Sequence, residues 1–249
     1  MSKFSLIIIF FSILFKLSIA ECPNTKEHWI VWNIGQGQWV SHILTDECIH
    51  YDVGGEFKSF AFIKNNLIKE CGKKRNLLLL SHWDFDHYMN ISELTKTISN
   101  ICWYSKPALT KINKSIKVVL DLNIRNCDEL SFLKITQWST LSGRSTNDLS
   151  IVNLDNGFLI PGDSPVAKEK IWIHELKKAR YTRVLILGHH GSRTSTGTEL
   201  LSQLPNLKMA IASAREKKFG HPHKETLERL RNATVPVLKT EDWGSIWFL

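Results

Sequence analysis

Residues 81–87 read Ser-His-Trp-Asp-Phe-Asp-His and follow directly on the apolar run Leu77, Leu78, Leu79, Leu80. Imidazole nitrogen and carboxylate oxygen are the donors that divalent transition metals share. His82 and Asp84 have period-two spacing, so an extended chain projects both to one side, while Asp86 and His87 are adjacent and point differently. One segment can therefore serve two ions. Two more polar clusters follow apolar runs: Gly162-Asp163 after residues 157–160, and Gly188-His189-His190-Gly191-Ser192 after residues 184–187. Alone, Asp163 reads as a turn aspartate and either histidine as a core or surface residue. At three separate strand ends, they read as one site gathered along a sheet edge. His221 and His223 flank Pro222 in a further loop.

The elements that must position these residues follow from periodicity. Residues 29–33, 39–44 and 49–53 read as three short strands punctuated by glycine, an antiparallel start to a sheet. Residues 57–71 carry apolar side chains at helical spacing and stop at Gly72. The continuous apolar run 77–80 suits a strand covered on both faces. A helix is expected over 89–99, and strands over 101–104 and 116–122. Asp155-Asn156-Gly157 turns a hairpin between 149–154 and 157–160. Beyond it come a basic helix (165–178), a strand (184–187), a helix (196–204), a strand (209–212), a helix (224–231) and strands at 235–238 and 245–249. Helices mixed with strands imply an α/β sheet architecture with polar clusters at strand ends.

The 249 residues, 43% apolar and 10% aromatic, suffice for one large domain. Lys3, an apolar stretch over 4–15 and the cleavage-site pattern Ser18-Ile19-Ala20 before Glu21, with small residues at its outer positions, predict a secretory signal over 1–20, with the folded domain over 21–249. The apolar core is too short for a comfortable membrane span, so no stable span is expected after cleavage, and a secreted or periplasmic location is expected. The formal net charge is +8, of which Lys3 and Lys16 of the leader supply two. That modest excess is compatible with an anionic partner such as nucleic acid and equally with an ordinary soluble surface. Five cysteines (Cys22, Cys48, Cys71, Cys102, Cys127) have no metal-motif spacing and read as structural, giving at most two internal bridges with connectivity left open.

The site residues carry a resemblance. His82-x-Asp84-x-Asp86-His87 resembles the metal-binding signature of the metallo-β-lactamase superfamily, in a variant with Asp84 at the second histidine. Asn33-Ile34-Gly35-Gln36-Gly37, Tyr51-Asp52-Val53-Gly54-Gly55, Leu79-Leu80-Ser81-His82, Asn147-Asp148-Leu149-Ser150, Gly162-Asp163, the run from His189 through Ser195, Gly220-His221-Pro222-His223 and residues 240–246 follow in the order of the hydrolase domain of ComEC-type DNA-uptake proteins. The resemblance implies a four-layer αββα sandwich with two divalent ions, zinc or manganese, at one edge. It implies His82, Asp84 and Asp163 around one ion, and Asp86, His87, Asp163 and His190 around the other, with Asp52 supporting the metal loop. His189 is implied to orient phosphate or stabilise charge, and His221 and His223 to face the substrate with Ser192, Thr194 and Ser195. The chain departs from the pattern at Asn33 and Gln38, where aspartates are usual, and has no histidine between His87 and His174.

The resulting expectation is a secreted metal-dependent phosphodiesterase or nuclease. Hydroxide held between the ions attacks phosphorus, with Asp86, His189, His221 and His223 as the catalytic set. Lys168, Lys170, Lys177, Lys178, Arg180, Arg183, Lys217 and Lys218 are candidate phosphate contacts. Two other readings stand beside it. One is hydrolysis of a small phosphodiester such as a phosphocholine-like ester, for which Trp32, Trp39, Trp83, Trp103 and Trp243 would form an aromatic surround. The other is a catalytically silent binding module of the same fold. The oligomeric state is not legible.

Overall fold

A computed structural model describes residues 27–128 and 133–249. The expected signal segment, its cleavage site and Cys22 lie outside the described residues. Among the described residues there are twelve strands: β1 (His28–Val31), β2 (Val40–Ile43), β3 (Glu47–Tyr51), β4 (Arg75–Leu79), β5 (Ile101–Ser105), β6 (Thr136–Trp138), β7 (Val152–Asp155), β8 (Phe158–Ile160), β9 (Val184–Ile186), β10 (Met209–Ala212), β11 (Val237–Lys239) and β12 (Ile246–Phe248). The helices are α1 (Phe60–Cys71), α2 (Phe85–Tyr88), α3 (Ile91–Thr97), α4 (Lys114–Asp121), α5 (Val166–Glu175), α6 (Thr198–Ser202), α7 (Glu216–Phe219), α8 (Lys224–Asn232) and α9 (Thr240–Trp243).

The strands form two six-stranded mixed sheets, in the orders β12-β1-β2-β3-β4-β5 and β11-β10-β9-β8-β7-β6. In the first, β3, β4 and β5 are parallel and the others antiparallel. In the second, β8, β9, β10 and β11 are parallel and the β6-β7-β8 meander is antiparallel. Each parallel set therefore ends its strands along one edge, where loops can meet.

Period-two alternation sorts the strand side chains into layers. Trp29 and Val31 of β1, Leu79 of β4, Val184 and Ile186 of β9 and Ile211 of β10 share the core between the sheets. Their neighbours Ile30 and Leu78 pack outward with Phe60, Ile63 and Leu67 of α1. On the far side, Leu185, Ala210 and Ala212 pack with Trp172 and Ile173 of α5 and Leu230 of α8. Helices thus cover both outer faces, giving the four-layer αββα sandwich. The middle layer has a polar tie: Asp155 Oδ2 accepts from Tyr51 Oη and pairs with His42 Nδ1, each at 2.7 Å.

One expected element differs. Residues 116–122 form a helix, α4, rather than a strand. Ile116 and Val119 are its buried residues, three apart on one face, while Val118 is exposed, and the Asn113 side chain accepts from Ile116 N at 2.8 Å as an N-cap. The helix expected over 89–99 is α3, and a separate short turn, α2, precedes it and begins inside the His82–His87 segment. Disulfides join Cys48 to Cys71 and Cys102 to Cys127. Each closes a loop of 23 or 25 residues, a constraint on the unfolded chain of about 3 kcal/mol. Among the described residues no helix is long and apolar enough to cross a membrane.

Candidate metal centre

The loops after β3, β4, β8, β9 and β10 meet at one edge of the two sheets. Asp84 is extended (φ −99°, ψ 145°) and immediately precedes α2, whose single turn carries Asp86 and His87. His82 and Asp84 therefore leave from extended backbone and Asp86 and His87 from a helical turn, which aims the two pairs differently. Close backbone contact holds this turn in place. A Cβ on Gly54 would lie 1.6 Å from the Asp86 carbonyl oxygen, which accepts from Gly55 N at 3.0 Å and Gln38 N at 3.2 Å. From the second sheet, Gly162 (φ +57°) brings its backbone against Ser81, where a Cβ would meet the Ser81 Cβ at 2.7 Å. His189 and His190 are consecutive residues in the left-handed region, at φ 49° and 57°. Such conformers cost about 1–2 kcal/mol each in non-glycine residues and cluster where a site imposes them.

All six expected ligands converge. Asp163 is at the centre: its Oδ1 lies 3.1 Å from His87 Nε2 and 3.8 Å from His190 Nε2, and its Oδ2 lies 3.7 Å from His82 Nε2 and 3.6 Å from His189 Nε2. Asp84 Oδ2 is 3.5 Å from His82 Nε2, and Asp86 Oδ2 is 3.2 Å from His190 Nε2. Two three-residue groups could each hold an ion: His82 with His87 and Asp163, and Asp86 with His87 and His190. His87 belongs to both, a tighter grouping than the sequence suggested. His189, from the second sheet, faces the same Asp163 oxygen as His82, on the side where the sequence has no middle histidine.

The hydrogen bonds behind these residues settle where their protons are. Asp52, fully buried, accepts from Ser81 N, Ser81 Oγ and Gln38 Nε2 and pairs with His87 Nδ1, each at 2.7 Å. A carboxylate accepts, so His87 Nδ1 carries the proton. Ser81 Oγ gives its hydrogen to Asp52 and so accepts from His82 Nδ1 at 2.9 Å. The Ser213 carbonyl accepts from His190 Nδ1 at 3.1 Å. In their neutral forms all three rings present bare Nε2 lone pairs to the carboxylates, the tautomer that metal ligation requires. His87 Nε2 and His190 Nε2 face each other at 3.3 Å. Two lone pairs at that distance repel unless a proton or a metal ion is held between them. His82 Nε2 and Asp163 Oδ1 are buried without a hydrogen-bond partner. The residues present fit divalent ions.

The local field points the same way. Burial alone would push His87 down, but Asp163 and Asp52 raise it well above the usual imidazole range. Burial would push Asp163 up, yet His87, His190 and His82 hold it well below the carboxylate range. Burial likewise opposes ionisation of Asp86, and the bond to His190 with the charges of His87 and His190 overcomes it, holding that carboxyl low. The cluster stabilises positive charge where its nitrogens converge.

Other expected residues divide. His221 and His223 lie beside the cluster, the His221 ring 5.8 Å from His189 and 5.4 Å from His223. Ser192 Oγ and Thr194 Oγ1 are 2.9 Å apart, and Thr194 Oγ1 is 3.4 Å from His189 Nδ1. Ser195 is fully buried beneath the loop, with its Cβ packed toward Gly188. Lys177, Lys178, Arg180 and Arg183 precede the amino end of β9, the edge opposite His189 and His190, so they are not contacts of this site. Lys217 and Lys218 sit in α7, beside the His221 loop, with Lys218 paired to Glu56 at 2.6 Å. Trp32, Trp39, Trp83 and Trp103 belong to the helix-covered core of the first sheet and form no aromatic surround. Gln38, noted in the sequence only as a departure from the family pattern, donates its amide to Asp52 at 2.7 Å. One residue beneath the site went unread in the sequence: Glu169, buried on α5, which accepts from Thr196 N at 2.5 Å and Gly197 N at 2.7 Å under the His189 loop. Only its place on a helix face could have flagged it.

These layers and this edge define a metallo-hydrolase architecture, the metallo-β-lactamase fold. Among solved structures, the chain is similar to the metallo-β-lactamase fold protein YhfI from Bacillus subtilis (TM-score 0.58, 12% identity, 90% of this chain and 99% of that one). It is also similar to a diphosphatase of the PhnP family (TM-score 0.52, 15% identity, 85% and 83%). In sequence it resembles competence proteins of the ComEC type: Recombination protein 2 of Haemophilus influenzae (25% identity over 98% of this chain) and Competence protein ComA of Neisseria gonorrhoeae (23% over 91%). The chain spans about a third of those relatives, 31% and 33% of their lengths. No family model matches.

Proposed function

We propose that this chain is a metal-dependent phosphodiesterase acting on nucleic acid. The observation that carries the reading is the shared proton pattern of His82, His87 and His190, each with Nδ1 donating to a fixed acceptor and Nε2 bare toward Asp163 or Asp86. His82, Asp84 and Asp163 would hold one ion, and Asp86, His87, Asp163 and His190 the other. When bound, such ions lower the pKa of water toward about 7 and neutralise charge on a phosphoryl group. Asp52 and Ser81 hold the imidazoles in register. His189, pushed down chiefly by burial, is neutral and half-exposed beside Asp163, placed to orient a phosphate oxygen.

The competence-protein relatives support a nucleic-acid substrate, and the basic balance is compatible with one. The two disulfides support an oxidising compartment, in keeping with secretion or a periplasmic location. The phosphocholine-like reading loses its argument, because its tryptophans are core residues apart from Trp243, which is exposed. The test is incubation of the purified protein and of an Asp163→Asn variant with Mn²⁺ or Zn²⁺ and three substrates: single-stranded DNA, duplex DNA and a chromogenic small diester. Cleavage of DNA by the first protein and not the second is expected. Intact DNA with both overturns the reading, and faster turnover of the small diester transfers it to small substrates.

A further inference from the structure

Gln36 lies in the turn between β1 and β2 and is buried, although the site's ligands are elsewhere. Two bonds fix the orientation of its side-chain amide. The backbone N–H of Arg215 donates to Gln36 Oε1 at 3.2 Å, so the opposite end of the amide is Nε2, and it lies 3.1 Å from His221 Nδ1. An amide nitrogen only donates. His221 Nδ1 is therefore the acceptor, and the neutral ring carries its proton on Nε2. The reversed amide would set two N–H groups against each other at Arg215 and is excluded by that contact.

This pattern is the opposite of the one in His82, His87 and His190. A base or a metal ligand needs a bare nitrogen, and His221 has spent its only bare nitrogen on Gln36. The neighbouring His223 differs again: its Nδ1 lies 3.3 Å from Glu225 Oε2, an acceptor, so its Nε2 is the atom free to exchange a proton. The loop is tied to the metal loops by the His223 backbone N–H, which donates to Gly191 O at 2.9 Å, and by ring contact of His221 with His189.

We infer that Gln36 is a positioning residue that fixes His221 as its neutral Nε2–H tautomer, making His221 a hydrogen-bond donor to an oxygen of the bound phosphodiester rather than a base or a ligand. The inference rests on the phosphodiesterase reading of the cluster. Stabilising developing charge with a fixed neutral donor needs no change of protonation during the reaction.

Side-chain ¹⁵N–¹H NMR of the metal-free protein at neutral pH, with His221 assigned by loss of its signals in His221→Gln, reads the tautomer directly. Wild-type protein should show His221 protonated on Nε2 and bare on Nδ1. Gln36→Glu keeps the acceptor for Arg215 N but turns the His221 partner into an acceptor, so the proton should move to Nδ1. On a chromogenic diester with Mn²⁺, that variant should lose about 100-fold in kcat with a smaller change in KM, the scale of losing one such donor. Gln36→Leu, which leaves both tautomers open, should show a mixture and a smaller loss. Gln36→Glu combined with His221→Gln should be no slower than His221→Gln alone. A wild-type His221 protonated on Nδ1 in a diester-cleaving enzyme overturns this inference alone, as does an inverted tautomer with unchanged kcat. The expected tautomer in a protein that cleaves no diester overturns the phosphodiesterase reading and the donor role with it.

Discussion

The histidines at the Asp163 cluster and the histidine of the following loop are wired in opposite senses. His82, His87 and His190 each donate from Nδ1, to Ser81 Oγ, Asp52 and the Ser213 carbonyl, and turn toward the Asp163 cluster an Nε2 that is bare in the neutral ring. His221 accepts at Nδ1 from Gln36 and keeps its Nε2 proton. Residue type is the same in all four, and the partner behind each ring decides what it offers. The difference teaches that function at this edge is assigned by buried acceptors and donors behind the site rather than by the histidines themselves.

The largest break in that contrast comes at its centre. Asp163→Asn keeps the shape and removes the carboxylate that faces four imidazoles, so metal affinity and diester turnover should each fall by more than the roughly 10–100-fold that loss of even an outer partner costs. Metal titration and kcat/KM measure it. Asp52→Asn attacks the wiring instead of the ligands. It places an N–H against one of the donors that now meet on Asp52, and metal affinity should fall by about 10–100-fold with an unfolding penalty of about 1–3 kcal/mol. Urea unfolding monitored with the same metal titration separates the two effects.

A third prediction concerns the buried carboxylates under the two halves. Asp52 has four partners, whereas Glu169 has two backbone N–H donors and nearby Arg229, and burial prevails there, pushing its carboxyl up to about 7. A carboxyl whose folded pKa is raised stabilises the fold fully below its unfolded value of about 4.5, and that contribution is lost as pH rises through about 7. The loss amounts to about 3 kcal/mol across that window. His50, buried and held down at about 4, first by its burial and against its bond to Asn76, acts with the opposite sign: its contribution is present above about 6.5 and lost as pH falls toward 4. The two contributions nearly cancel between about pH 4.5 and 6.5 in the wild type, so Glu169→Gln, which removes only the declining one, should make the urea midpoint climb with pH across that window. An identical pH dependence in the variant would contradict the assignment.

The smallest effect marks the site's limits. Arg183→Ala, at the amino end of β9, should leave diester turnover within about twofold, as expected of a surface change remote from the chemistry. A steady-state assay at low salt checks it.

Much of this arrangement was legible in the sequence, because strand ends and polar clusters obey short-range rules. The apolar run before His82, the hairpin at Asn156-Gly157 and the strand before His189 each appear where periodicity and turn chemistry put them. The six converging side chains fall in three contiguous segments, and the resemblance of those segments to the family signature is what named them as a ligand set. What failed was of two kinds. The stretch around Val118 and Val119 is β-branched and reads as a strand, but the Asn113 cap and a single buried face make it helical, a case of tertiary packing overriding propensity. The basic residues before β9 belong to the wrong end of their strand, a distinction that charge counting ignores. The pairings Gln38 with Asp52, Gln36 with His221 and Glu169 with Thr196 join positions 14, 185 and 27 apart, and no local pattern announces them.

The central claim is that the bare Nε2 atoms around Asp163 form a divalent metal centre. Calorimetric titration of metal-free protein with Mn²⁺, run in parallel on wild type and Asp163→Asn, tests it most directly. The account predicts saturable binding of more than one ion per wild-type chain, lost or reduced more than about 100-fold in the variant. Equal titration curves for the two proteins, or no binding by either, would contradict it.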